Sequence, residues 1–176
     1  MGRVVLRCTA KMVALLGAHP KELVTVEPSD HDWYANLLWL DRRKCLLLVH
    51  AGTLFSVFVS DIHKAELVPI GPSVVALIQS EIEAESLPQD RLGILDSGSI
   101  ALAKTESRVV LGYMNEMARF CEYKVEDAAG LARCNARELN RELRRELHLS
   151  RQPPGYFVPI ELAGGSRNRP LFRVVN

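Results

Sequence analysis

The chain has 176 residues, of which 48% are hydrophobic and 24% are charged, and its formal net charge is +1. These values are typical of one ordinary globular domain. No segment approaches the roughly 18 apolar residues of a membrane span, and the N-terminus lacks the apolar run and cleavage site of a secretory signal. We therefore expect a single domain over residues 1–176 that resides in the cytoplasm and does not associate with a membrane.

The four cysteines do not form a metal or disulfide pattern. Cys8, Cys45, Cys121 and Cys134 include no pair at the spacing of a zinc ligand motif, and each lies in or beside an apolar or helical run. We expect free thiols. The groups Asp30-His31-Asp32 and Asp61/His63 also lack a recognised ligand spacing, so no metal and no cofactor are predicted.

The sequence predicts an α+β fold in which an antiparallel β-meander packs with several α-helices. Three apolar runs at 33–40, 44–50 and 53–60 are separated by short turns, and short connections join antiparallel neighbours. The first run is apolar on both faces, so we expect a central strand that is covered on both sides.

Further elements flank the meander. Strands are predicted over 3–7, 99–104, 156–160 and 171–175, and helices over 10–16, 72–85, 107–124 and 134–147. Gly112 falls inside the 107–124 helix, where glycine costs about 1 kcal/mol relative to alanine. We interpret it as a point where another backbone or a ligand approaches the helix closely.

Charge is distributed unevenly along the chain. Residues 1–130 carry 13 Lys and Arg against 17 Asp and Glu, whereas residues 131–176 carry 9 Arg against 4 Glu. In the basic part, six side chains recur at helical spacing, within about 60–80° of one another on a helix. They are Arg133, Arg137, Arg141, Arg144, His148 and Arg151. This stripe predicts an anionic partner, either an acidic protein surface or a nucleic acid.

The same helix allows simpler interpretations. Its arginines can form an ordinary solvated face with glutamates at i, i+3, such as Glu138–Arg141, at a few tenths of a kcal/mol per pair. Its leucine stripe (Leu139, Leu143 and Leu147) can dock the helix on the core or form a homodimer. Aromatic residues are absent from the helix, which argues against a platform for stacking single-stranded nucleic acid.

Three stretches carry a resemblance to a known family. They are Leu6-Arg7-Cys8-Thr9 with Lys11, the run 32–38 (Asp-Trp-Tyr-Ala-Asn-Leu-Leu), and Ser107-Arg108 followed by Leu-Gly and Met-Asn at 111–115. In order and spacing, over about residues 3–160, they resemble an uncharacterised bacterial domain family, a domain of unknown function. The resemblance implies a small bacterial cytoplasmic protein and assigns no activity. A site shared by the family would be built by its polar signature residues: Arg7, Thr9, Lys11, Trp33, Asn36, Arg108 and Asn115.

Two function hypotheses follow. The first is a non-catalytic binding module that uses the arginine stripe to hold an anionic macromolecule. The alternative is a small metal-independent hydrolase, such as a toxin-like ribonuclease, in which Arg, Lys and Asn side chains of the signature set stabilise phosphate charge. The sequence has no GxSxG, P-loop, GxGxxG or HExxH motif, so no catalytic residue is predicted.

Overall fold

The structure is a computed structural model that describes residues 4–151 and 154–166. It has the predicted α+β fold, with a five-stranded sheet and a separate two-stranded hairpin. The strands are β1 Val5–Cys8, β2 Trp33–Leu40, β3 Arg43–His50, β4 Ser56–Val59, β5 Ala101–Lys104, β6 His148–Arg151 and β7 Pro154–Phe157. The α-helices are α1 Ala10–Leu16, α2 Lys64–Leu67, α3 Ile70–Ala84, α4 Arg108–Asp127, α5 Ala136–Leu143 and α6 Pro159–Leu162, and two 3-10 turns cover Pro20–Glu22 and Leu131–Arg133.

The main sheet contains the predicted meander and two further strands. Its order is β4-β3-β2-β1-β5, and β2, β3 and β4 are antiparallel neighbours. Strand β1 pairs in parallel with both β2 and β5, so the sheet is mixed rather than purely antiparallel. Long connections that contain helices return the chain to the same end of the sheet, which is what parallel pairing requires.

Strand β2 divides the molecule into two cores. Trp33, Ala35 and Leu37 face a core that includes Met12 of α1 and the apolar face of α3. Tyr34, Leu38 and Leu40 face the other core, with α4 and α5. The prediction that β2 is covered on both sides is confirmed, because alternate side chains of one strand point to opposite faces.

Several predicted boundaries are wrong. The helix predicted over 134–147 is only Ala136–Leu143, since the chain turns at the C-cap Arg144 and begins β6 at His148. The strand predicted over 156–160 ends at Phe157, and Pro159 begins α6, because proline suits the first turn of a helix. The strand predicted over 171–175 lies outside the described residues.

The interpretation that another backbone approaches Gly112 closely is also wrong for the described residues. A Cβ atom built on Gly112 meets no heavy atom of the described residues within 4 Å, and the position is exposed. None of the described residues therefore packs closely against the helix at this glycine.

The two outer edges of the sheet are occupied by other parts of the chain. Beside β4, the Asn140 side chain of α5 accepts from the Phe58 N–H at 2.6 Å and donates to the Phe58 carbonyl at 2.8 Å. Beside β5, the Val24 N–H donates to the Leu102 carbonyl at 2.8 Å. Both contacts satisfy backbone groups that an edge strand would otherwise offer to another chain.

Candidate functional site

Arg7, the first of the signature residues, is a fully buried structural anchor. Its Nε donates to Asp32 Oδ2 at 2.5 Å, Nη1 donates to the Lys104 carbonyl at 3.1 Å, and Nη2 donates to the Val26 carbonyl at 2.8 Å. Asp32 also accepts from the Ser29 N–H. These bonds tie β1 to the end of β5 and to the loop that precedes β2, so the guanidinium is committed to the fold.

The other signature residues do not converge on one place. The Thr9 hydroxyl donates to Asn36 Oδ1 at 2.9 Å. Trp33 is buried in the α1/α3 core. Lys11 is exposed on α1, whereas Arg108 and Asn115 are exposed on α4, and these helices pack on opposite faces of the sheet. The residues that motivated the hydrolase alternative are therefore distributed over both layers.

Trp33 has an unexpected neighbour in His50. Their ring centroids are 5.1 Å apart, and neither Trp33 Nε1 nor His50 Nε2 has a hydrogen-bond partner among the described residues. Burial, with a smaller contribution from His31, lowers the pKa of His50 to about 4 despite the nearby carboxylates of Asp30 and Asp32. His50 is therefore neutral at pH 7 and adds no positive charge to a site.

The arginine stripe does not form one continuous surface, because Arg144 is fully buried. Its Nε donates to the Ser56 carbonyl at 2.8 Å, and its Nη atoms bond Glu85 Oε1 at 3.1 Å and Glu81 Oε2 at 2.5 Å. The guanidinium carbon lies 4.3 Å from the centroid of the Phe55 ring. Arg144 thus joins α5 to α3 and β4.

Glu85 is the acidic centre of this network. Arg145 also reaches it, with Nη2 2.7 Å from Oε2. Burial alone would raise the pKa of Glu85, but the hydrogen bonds and charges of Arg145 and Arg144 outweigh burial and hold the pKa below its ordinary 4.5. The network accounts for two of the nine arginines in the basic segment, and both are structural.

The remaining members of the stripe differ in exposure. Arg133 and Arg137 are exposed, whereas Arg141 is half-buried and has a partner of its own. His148 is buried and packs in β6 against the rings of Tyr113 and Phe157. Burial lowers its pKa although Glu116 lies 3.6 Å from its Nδ1. The side chain of Arg151 lies outside the described residues.

Charged residues outside the signature set and the arginine stripe surround the β2–β3 turn. Asp41 Oδ2 accepts from the Leu131 N–H at 3.1 Å, which places the tip of this hairpin against the 3-10 turn that carries Arg133. Arg42 and Arg43 are exposed beside it. The run Asp-Arg-Arg-Lys in a tight turn was the signal available in the sequence, although nothing in it linked the turn to residues 131–137.

An exposed aromatic ring completes this end of the molecule. Trp39 is 57% exposed, and the Lys44 ammonium lies 5.5 Å from its ring centroid. The Arg43 guanidinium lies 2.5 Å from the Asp61 carboxylate. Ser60, the residue before Asp61, lines a cleft of about 590 Å³ together with Arg137. We call this region the hairpin-tip surface, and it consists of Trp39, Arg42, Arg43, Lys44, Arg133 and Arg137.

The cysteines, the acidic and histidine side chains and the apolar cleft of the described structure do not indicate a further reactive or metal-binding site. Cys8 is buried, and burial raises the pKa of its thiol to about 12, so it is not a reactive thiolate at neutral pH. All four cysteines are free. Among the described residues, no three His, Cys, Asp or Glu side chains are placed to hold a metal ion. A cleft of about 380 Å³ beside α4 and β7 has no charged residue in its described lining.

A comparison with known protein families assigns the chain to one of them. A family described as Domain of unknown function (DUF6933) matches residues 5–162, which is most of the chain and includes all the stretches on which the resemblance rests. Comparisons with curated proteins and with solved structures gave no match. Within the described residues, no helix has both the length and the apolar character needed to cross a membrane. On this match, the chain belongs to the DUF6933 domain family.

Proposed function

We propose that the protein is a non-catalytic binding module for an anionic macromolecular partner, which contacts the hairpin-tip surface. The observation that carries the proposal is the hydrogen bond between Asp41 and the Leu131 N–H, because it brings the basic turn of the hairpin to the basic segment after residue 130. Positive charge that is distant in sequence is thereby concentrated at one end of the molecule.

Part of the positive charge at this surface has no ion-pair partner, although Glu81 and Glu83 line the cleft that contains Arg137. Among the described residues, no carboxylate lies within ion-pair distance of Arg42, Arg133 or Arg137, while Arg43 pairs with Asp61 at the exposed surface. Guanidinium groups bind carboxylates and phosphates through paired hydrogen bonds. Exposed arginines without partners retain these donors for a ligand.

The backbone of the turn supports the same interpretation. Asp41 and Arg42 both have left-handed backbone conformations, with φ of 49° and 62°. A two-residue hairpin of this type favours Asp or Asn followed by glycine, and an arginine in the second position is strained. The sequence therefore places a positive charge at the tip of the hairpin at a cost in stability.

Charge reversal tests the proposal. We expect a fluorescein-labelled oligoglutamate and an oligouridylate to bind more weakly as the salt concentration rises from about 50 to about 200 mM. The combined Arg42→Glu, Arg133→Glu and Arg137→Glu variant is expected to lower the affinity for at least one probe by ten-fold or more, since about 1.4 kcal/mol suffices for that change. Fluorescence anisotropy measures both effects.

The matched control has the same change in net charge elsewhere. A variant with Arg108→Glu, Arg119→Glu and Lys21→Glu changes exposed residues outside the hairpin-tip surface. An equal loss of affinity in this control, or binding of both probes that does not depend on salt, would contradict the proposal. Absence of any binding by the unmodified protein would contradict it as well.

Arg42→Gly separates function from stability. Glycine adopts a positive φ without strain, so we expect the free energy of unfolding to rise by about 0.5–1 kcal/mol while the affinity for the anionic probe falls. Urea denaturation and anisotropy measure the two quantities on one sample. A gain in stability with unchanged affinity would remove Arg42 from the binding surface.

A further inference from the structure

Strand β2 has an unpaired stretch in the interior of the sheet. Its neighbour β1 ends at Cys8, and the last bond between them runs from the Thr9 N–H to the Ala35 carbonyl at 3.0 Å. Beyond that point β2 continues to Leu40 with β3 on one side only. The chain enters α1 at this point. It therefore does not occupy the position beside β2 that a longer β1 would take.

The register shows which backbone groups of β2 have no strand partner. The Ala35 carbonyl points away from β3, since it accepts from Thr9. In an antiparallel pair, the backbone groups of alternate residues point to the same side. Leu37 and Trp39 therefore also direct their N–H and C=O groups away from β3. Within residues 4–151 and 154–166, no hydrogen bond to these outward groups is present. We call these outward groups of Leu37 and Trp39 the open edge.

Three basic residues, Lys11, Arg42 and Lys44, lie on the elements and the turn that adjoin β2. Trp39 is largely exposed and carries Lys44 against its ring. Lys11 is exposed on α1, which begins directly after the last β1–β2 bond, and Arg42 is exposed at the tip. The carboxylate of Asp41 is turned toward the Leu131 N–H. A ligand at this edge therefore meets cationic side chains and an aromatic ring.

We infer that an acidic, extended peptide segment of a partner protein binds here by adding a strand to the open edge of β2, with a side chain packed on Trp39. The inference rests on the proposed function and names the partner of the same surface. Alternating backbone donors and acceptors at strand spacing are complemented by another peptide backbone. A nucleic acid would place phosphates against the outward carbonyls, which are acceptors and cannot bind them.

A designed peptide pair provides the test. The probe is a fluorescein-labelled peptide of about eight residues with alternating Glu and Val, long enough to form one strand. Its control has the same side chains but a methyl group on every interior amide nitrogen, which removes the backbone donors. We expect the control to bind about ten-fold or more weakly, since each lost backbone hydrogen bond is worth about 1 kcal/mol.

The outcomes distinguish the two proposals. Equal affinity for both peptides would overturn strand addition while leaving anion binding intact. Binding of an oligouridylate of similar length without binding of either peptide would do the same. If neither the peptides nor the oligouridylate binds, the proposed function itself fails.

Two measurements on the protein locate the contact. Trp39→Pro removes an N–H that faces away from β3, whereas Trp39→Ala removes only the ring, so the proline variant is expected to bind the probe more weakly than the alanine variant. In the unmodified protein, NMR-detected amide exchange of Leu37 and Trp39 should slow when the unmethylated peptide is added. Unchanged exchange at both amides with peptide bound would place the peptide elsewhere and overturn the inference.

Discussion

Replacement of Arg144 by methionine is expected to lower the free energy of unfolding by about 3 kcal/mol, because Glu81 loses its cation and the buried Glu85 keeps only Arg145. Glu85 is nearly as buried as Arg144 itself, with 2% of its side chain exposed. The substitution also removes the donor to the Ser56 carbonyl on the edge of β4. Urea denaturation followed by circular dichroism measures the change.

Arg137→Met is the matched control for this prediction. Arg137 lies on the same helix and is exposed, so its replacement is expected to change the free energy of unfolding by less than about 0.5 kcal/mol. Equal effects of the two substitutions would mean that Arg144 belongs to a solvated arginine face, as the sequence pattern suggested. Arg144→Lys should fall between them, since a lysine keeps the charge but loses the planar fork.

The pH dependence of stability gives a second readout of the network. The pKa of Glu85 lies below its ordinary 4.5 in the folded protein. The carboxylate therefore contributes stability that is present above 4.5 and is lost as the pH falls through the folded pKa. In Arg144→Met the pKa moves upward, so the loss of stability on acidification should be smaller than in the unmodified protein.

Local patterns in the sequence predicted the meander and the long α4 helix well. Val110, Met114, Met117 and Cys121 recur at i, i+4, i+7 and i+11 and are all buried in α4, and the two apolar faces of β2 correspond to the two cores. These features depend on neighbours within one element. Side-chain periodicity is therefore sufficient to identify them.

The functional assignment of the arginines could not be made in this way. Periodicity placed Arg144 on the same face as Arg137, but the helix ends at Leu143. Two glutamates about sixty positions earlier, one in α3 and one at its C-cap, receive the Arg144 guanidinium. Likewise, the link between Asp41 and Leu131 joins segments that are ninety positions apart. Contacts between residues that are distant in sequence decide which charged side chains are buried and which remain exposed to a ligand. The spacing of residues within one helix does not predict these contacts.

The second large effect is expected at Arg7, whose replacement by methionine should lower the free energy of unfolding by about 3–5 kcal/mol. Asp32 would lose its 2.5 Å partner while remaining almost fully buried, and the Val26 and Lys104 carbonyls would lose their donor. Buried acceptors without donors are costly, so the loop before β2 and the end of β5 should loosen together. Urea denaturation measures the loss, and hydrogen exchange of the two segments reports where it occurs.

Arg108→Met separates this structural role from a catalytic one. Both arginines belong to the signature set, but Arg108 is exposed on α4, so its replacement is expected to change stability by less than about 0.5 kcal/mol. A phosphate-stabilising role for Arg7 would require a guanidinium with free donors that face solvent, whereas all three of its nitrogens already donate to protein oxygens. If Arg7→Met left the stability nearly unchanged, Arg7 would not be a structural anchor. It would then be a candidate for contact with a ligand.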